Sequence, residues 1–147
     1  MNAASQTLKA LGVELLVVSC DTKFSHKRFV ETEPLMEGFE LMMGADATAR
    51  MAKDYGVYLK EAGVALRGRF LIDPDGVVVA QEVLSPPVGR SINEFIRQVE
   101  AYQHVSATGE ACPANWRKGK KTLPVGTEEE KLTGRVGDYV TVEEIMS

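Results

Sequence analysis

Cysteine is scarce in this 147-residue chain, which carries only Cys20 and Cys112. Two thiols are too few for a disulfide scaffold, so a disulfide formed by either one is expected to turn over. Histidine is equally rare, and His26 and His104 lack a ligand at short spacing, which argues against a metal centre. No apolar run approaches the ~20 residues that span a bilayer, and the opening MNAASQTLKALG has neither the basic start nor the apolar block of a signal peptide. A cytoplasmic location follows as the expectation. Positive charge is not in excess either: 17 Lys and Arg stand interspersed with 21 Asp and Glu, for a formal net charge of -4. That distribution gives no footprint for nucleic acid or an anionic membrane. Internal repeats and low-complexity tracts are also absent. Small molecules and proteins remain as partners, and no cofactor or metal is expected.

What is present is ordinary globular material, with 44% apolar residues in a length that suits one domain. Ala4, Leu8 and Leu11 share a helical face over residues 3–11, and Gly12 offers the left-handed stop. Residues 13–19 form an apolar run of the kind buried on both faces of a parallel sheet. Asp21 or Thr22 caps a helix carrying Phe24 and Phe29 that must end before Pro34. Residues 39–44 read as a short strand, and Asp46 caps a helix over residues 47–55. The strongest local signal is Pro74-Asp75-Gly76 between two β-rich runs, residues 67–73 and 77–84, which predicts an antiparallel hairpin. Ser91-Ile-Asn-Glu94 reads as a capping box opening a helix with Ile92, Phe95, Ile96, Val99 and Tyr102 at helical spacing.

Beyond about residue 106 periodicity fails, so residues 1–105 are read as the domain and 106–147 as a C-terminal arm, ending in a weak strand over residues 139–142. At the start of that arm lies Gly109-Glu-Ala-Cys-Pro-Ala-Asn-Trp116, a lone cysteine followed by proline and by the only tryptophan. Strand, helix, strand, hairpin and closing helix make the second half of a thioredoxin-like α/β domain.

The chain resembles the peroxiredoxins, specifically the typical two-cysteine group that includes alkyl hydroperoxide reductase and thiol-specific antioxidant. The motifs are Val17-Val-Ser-Cys-Asp21 with Phe24-Ser-His26, and Asp54-Tyr-Gly-Val57. With them go Arg67-Gly-Arg-Phe-Leu-Ile-Asp73 with Gly76, Pro87-Val-Gly-Arg-Ser91, and the Cys112 segment, all in the family's order and spacing. The resemblance implies reduction of hydrogen peroxide or organic hydroperoxides by a homodimer or ring of dimers, with a thioredoxin-type or other thiol as reductant. In such proteins a peroxidatic thiolate becomes a sulfenic acid, and a resolving cysteine from the partner's arm condenses with it. By motif, Cys112 is the resolving cysteine, Arg67 the active-site arginine, and Arg90 a supporting arginine. The family's peroxidatic segment has no counterpart in these residues, so the fold is expected to be incomplete at its N-terminus and the chain alone inactive. A fragment, a misplaced start, or a second chain supplying the missing half would account for it. A selenocysteine codon read as a stop is one route to a misplaced start.

Each residue also has a plainer reading. Cys20 reads either as a small buried residue at a strand end or as a thiol facing the crevice at the strands' carboxyl ends. His26 and His104 read as ordinary polar residues, and Trp116 as the apolar anchor of the arm. The alternative to a peroxidase is a non-enzymatic redox or interaction module that forms disulfides through Cys112 or Cys20.

Overall fold

The computed structural model describes residues 4–38, 40–123 and 140–146. They fall into two compact units, residues 1–91 and 92–147.

In the first unit, α1 (Ser5–Ala10) buries Leu8 and stops at Gly12, whose φ of 72° is the left-handed conformation open to glycine. Strand β1 (Leu16–Ser19) pairs in parallel with β2 (Met42–Ala45), from Leu16 opposite Met42 to Ser19 opposite Ala45. A parallel pair needs a crossover, and α2 (Lys23–Thr32) supplies it. Thr22 caps α2 by accepting the Ser25 amide, and the helix ends before a 3-10 turn over Pro34–Met36. Gly44 has a packing reason, because a Cβ there would lie 3.1 Å from Val18 Cγ2. Expected to be buried on both faces, β1 instead leaves Leu16 exposed and its other residues half-buried. Among the described residues β1 pairs only with β2, so its second edge gains no cover from a neighbouring strand.

Helix α3 (Arg50–Asp54) is shorter than the expected 47–55. Asp46 does cap it, accepting the Ala52 amide at 2.8 Å, but Ala49 is spent on a left-handed turn with φ 54°. Ala49, Ala52 and Val57 form the core of this unit, with Cys20, Tyr58, Ala65, Leu66 and Phe70 packed against it. A short antiparallel pair that the sequence did not suggest follows, β3 (Tyr58–Leu59) with β4 (Val64–Ala65). The expected hairpin is β5 (Arg67–Ile72) with β6 (Val78–Leu84). Asp73 organises its turn, its carboxylate accepting the amides of Asp75 and Val77 while Gly76 takes φ 83°. The register shifts between Leu71 and Ile72, and this irregularity decides which side chains meet across the hairpin.

The second unit begins with α4 (Ile92–Thr108), which buries Phe95 and Val99, one helical turn apart. It continues through residues 109–123 and resumes at α5 (Val142–Met146). The expected strand over residues 139–142 is corrected here: Tyr139 lies outside the described residues, and Val142 opens a helix. Thr141 and Glu144 form a reciprocal capping box, the Glu144 amide donating to Thr141 Oγ1 at 3.2 Å and the Thr141 amide to Glu144 Oε2 at 2.8 Å. That local pairing outweighs the strand preference of a single Val-Thr-Val run.

Candidate functional site

The first neighbourhood is a cluster of guanidinium groups on the hairpin and the segment after it. Arg67 opens β5 and is exposed, its Nε donating to the Pro86 carbonyl. Arg90 reaches back along the same strand, and its Nη1 donates to the Gly68 carbonyl at 2.7 Å. Arg69 donates through Nη1 to the Ser91 carbonyl at 3.0 Å. Three arginines thus lace β5 to residues 86–91, each through a backbone oxygen. Such a cluster is costly without an anion, and Glu82 provides one. It stands opposite Arg69 in the ladder, with Oε2, shut off from solvent, 3.4 Å from Arg69 Nη2. Burial lowers the pKa of Arg90 first, and the Arg67 and Arg69 charges lower it further against the pull of Glu82. Arg67 and Arg90 are therefore brought close enough for their charges to interact. Arg69 and Glu82 join them without having been singled out.

Gly68 makes this arrangement possible. A Cβ on it would meet Phe70 Cε2 at 2.9 Å and Val57 Cγ1 at 3.2 Å. Only a residue without a side chain lets β5 lie this close to the core while presenting Arg67 and Arg69 on either side.

Nearby in sequence, at the end of β1, Ser19 donates its hydroxyl proton to Asp21 Oδ2 at 2.7 Å and meets His26 Nε2 at 2.6 Å. With the hydroxyl proton committed to Asp21, His26 acts as the donor, which ties a buried imidazole to the strand end instead of leaving it as a base.

Cys112 belongs to the second unit. It follows α4 on a short loop closed by the backbone pair Ala111–Leu123, whose amides and carbonyls exchange hydrogen bonds of 3.1 and 2.8 Å. Trp116 anchors the loop at 3% exposure, and its indole Nε1 donates to the Lys120 carbonyl. The half-buried thiol points at the Ala101 carbonyl, 3.9 Å away. Burial pushes its pKa up and Glu110 adds to this, while the Arg97 guanidinium pulls it down. At neutral pH the group is a thiol, not a thiolate. Arg97 is itself fixed by a two-point ion pair to Glu94, both bonds 2.7 Å, and its Nη1 donates to the Trp116 carbonyl at 3.0 Å. Cys20 is also free, packed at the edge of the Ala49–Ala52–Val57 core.

A family model described as "AhpC/TSA family" matches residues 1–81, and one for the "C-terminal domain of 1-Cys peroxiredoxin" matches residues 101–137. The chain belongs to the AhpC/TSA family as a typical two-cysteine peroxiredoxin. The selenocysteine-containing peroxiredoxin PrxU of Peptoclostridium acidaminophilum is 47% identical over 121 residues, 79% of this chain and 60% of that protein. The mitochondrial thioredoxin-dependent peroxide reductase of Mus musculus is 43% identical over 113 residues, 75% of this chain and 44% of that protein. Among solved structures, the reduced 2-Cys peroxiredoxin of Plasmodium vivax superposes with a TM-score of 0.77 at 36% identity, covering 82% of this chain and 64% of its own. The peroxiredoxin chain thus has the thioredoxin-like α/β fold and spans less than two thirds of the length of each of these relatives. No helix among the described residues is long and apolar enough to cross a membrane.

Proposed function

We propose that this peroxiredoxin chain is the part of a thiol peroxidase that carries the resolving Cys112 and the active-site Arg67, with Arg90 in support. The attacking residue then lies on a segment outside these 147 residues. The substrate is hydrogen peroxide or an organic hydroperoxide, and a thioredoxin-type thiol returns the enzyme to its reduced form. The working unit is a homodimer or a ring of dimers in the cytoplasm, in which residues 106–147 act as the arm that carries Cys112 to a partner subunit.

The observation that carries this reading is the state of Cys112. It is a half-shielded thiol on a closed loop, its pKa pushed up by burial, with a cation near enough to stabilise the thiolate when it forms. Such a thiol is a poor first nucleophile toward peroxide, because the thiolate is the reactive form. It suits the second step, in which its sulfur bonds to the sulfur of a sulfenic acid and the hydroxyl leaves as water. Arg67 supports the first step. It presents an exposed guanidinium, which favours an adjacent thiolate and polarises a peroxide oxygen.

The test uses the protein translated together with its in-frame upstream sequence. Thioredoxin-dependent consumption of hydrogen peroxide is expected from that protein, and little from the 147-residue chain alone. Cys112→Ser should leave one round of sulfenic acid formation and abolish the intersubunit disulfide on a non-reducing gel. Sustained turnover of the short chain through Cys20, or unchanged disulfide formation in Cys112→Ser, overturns the proposal. The same upstream sequence decides between two forms of the attacking residue. An in-frame TGA codon after a proline-threonine segment would mark selenocysteine, which the name of the 47% identical relative carries, and a cysteine codon there would mark cysteine.

A further inference from the structure

The loop that carries Cys112 is held shut by a set of side chains that no part of the peroxidase reading uses. At the end of α4 the Thr108 hydroxyl donates to the His104 carbonyl at 2.8 Å and accepts the Glu110 amide at 3.1 Å. Gly109 turns the chain with φ 74°, and its amide bonds the Val105 carbonyl at 2.8 Å. The Glu110 carboxylate folds back so that a single oxygen, Oε2, takes two partners. His104 Nε2 lies 2.9 Å from it, and the Thr122 hydroxyl donates to it at 2.7 Å. These two residues stand at opposite ends of the Cys112 loop, one on the helix and one beside the closing pair Ala111–Leu123. The His104 ring also lies against the indole of Trp116, with centroids 4.9 Å apart and planes tilted by 35°.

We infer that His104, Glu110 and Thr122 form a latch that positions Cys112, keeping the loop closed and the thiol shielded until a partner subunit draws it open. The inference rests on the resolving role proposed above for its purpose, but not for its geometry. A carboxylate accepts both bonds, so His104 contributes its Nε2 proton and Thr122 its hydroxyl proton. Neither residue touches the sulfur. Both act on it by fixing the two ends of the loop on one oxygen atom, while the Ala101 carbonyl is the partner the sulfur meets inside and the Arg97 charge acts on it.

The only tryptophan of the chain stands in this loop, so its emission reports the latch without a label. His104→Ala and Glu110→Ala each remove the His104–Glu110 contact, and each is expected to shift Trp116 emission to the red. Each should also speed alkylation of Cys112 by iodoacetamide by about three- to tenfold, the range set by the net worth of one ordinary hydrogen bond. Cys20→Ser serves as the background, so that only Cys112 is alkylated. His104→Gln keeps a donor for Glu110 and should restore slow alkylation, while the loss of the ring contact still changes the Trp116 emission. A purely structural role for His104 would not separate the two readouts in that way. Equal alkylation rates in the parent, His104→Ala and Glu110→Ala overturn the latch, as does a His104→Gln variant that reacts as fast as His104→Ala. None of these measurements needs peroxide. A Cys112 that unlatches on cue but never captures a sulfenic acid defeats the resolving role and leaves the latch standing.

Discussion

The arginine cluster and the cysteine loop hold their reactive groups by opposite means. Arg67, Arg69 and Arg90 are tied to backbone carbonyls of β5 and of residues 86–91, and Arg67 and Arg69 themselves stand on a paired strand. Cys112 is held by side chains, through one carboxylate oxygen and one buried indole. Backbone positioning is stiff, because moving Arg67 means breaking a ladder. Side-chain positioning through the carboxylate is easy to undo, since each of its hydrogen bonds is worth about 1 kcal/mol. The division fits the chemistry proposed for each group. A cation that polarises a peroxide gains from staying put, whereas a thiol that must reach a second subunit gains from being released.

The largest blow to this contrast should come from Trp116→Ala. Truncating a buried tryptophan costs on the order of 3–5 kcal/mol, so the loop should lose its anchor while the hairpin is untouched. Amide hydrogen exchange is the check, with loss of protection expected at Ala111 and Leu123 and none in β5 or β6. Protection lost equally in both regions would show that the loop and the hairpin open together, and would erase the distinction between them.

Gly68→Ala attacks the other side. Its new Cβ falls 2.9 Å from Phe70 Cε2 and 3.2 Å from Val57 Cγ1, and overpacking of this kind costs roughly 1–3 kcal/mol. A lower thermal midpoint is expected, with Cys112 alkylation unchanged. A faster Cys112 reaction in this variant would mean that the thiol is held through the hairpin after all.

How much of each region was legible follows the same line. Pro74-Asp75-Gly76 announced the hairpin, and the Asp73 carboxylate and Gly76 conformation realise it. The register shift was not legible. Had the pairing run on unshifted from Ile72 opposite Val78, Arg69 would face Gln81, and Glu82 would lie on the other side of the sheet. A one-residue irregularity thus created an ion pair that counting from the turn would miss. The capping box at Thr141 and Glu144 was plainly written, but Val-Thr-Val beside it favoured a strand. In the loop, Cys112 and Trp116 were conspicuous as lone residues. Glu110, His104 and Thr122 were not, because loop closure brings them together and no local spacing encodes that closure.

Acid should also separate the regions. Hydrogen bonds from Thr122 and His104 hold the Glu110 pKa below its ordinary value. Lys121, 2.6 Å away, together with the Thr141 amide holds Glu144 down to about 2. A depressed carboxylate stabilises the fold above its unfolded pKa and ceases to do so as pH falls through the folded one. Between an ordinary pKa of about 4.3 and the folded value of about 2 for Glu144, the second unit should therefore loosen progressively. Trp116 emission followed from pH 6 downward, about two units above the onset, should shift in that window. An emission constant to about pH 2 would remove the carboxylates from the list of what holds the loop.

The smallest expected effect bears on the thiol itself. Burial is the main reason the Cys112 pKa is raised, Arg97 works against it, and Glu110 adds to it. Arg97→Gln deletes the charge but leaves an amide able to donate to the Trp116 carbonyl, so the loop should stay docked and the pKa should rise further. Glu110→Gln should move it the other way by removing a negative charge. The rate of iodoacetamide alkylation measured against pH in the Cys20→Ser background gives both midpoints. Opposite shifts would show that the loop sets the charge on its sulfur as well as its position. If both variants shift downward, Arg97 matters only as the clamp on Trp116, and the loop tunes its thiol by burial alone.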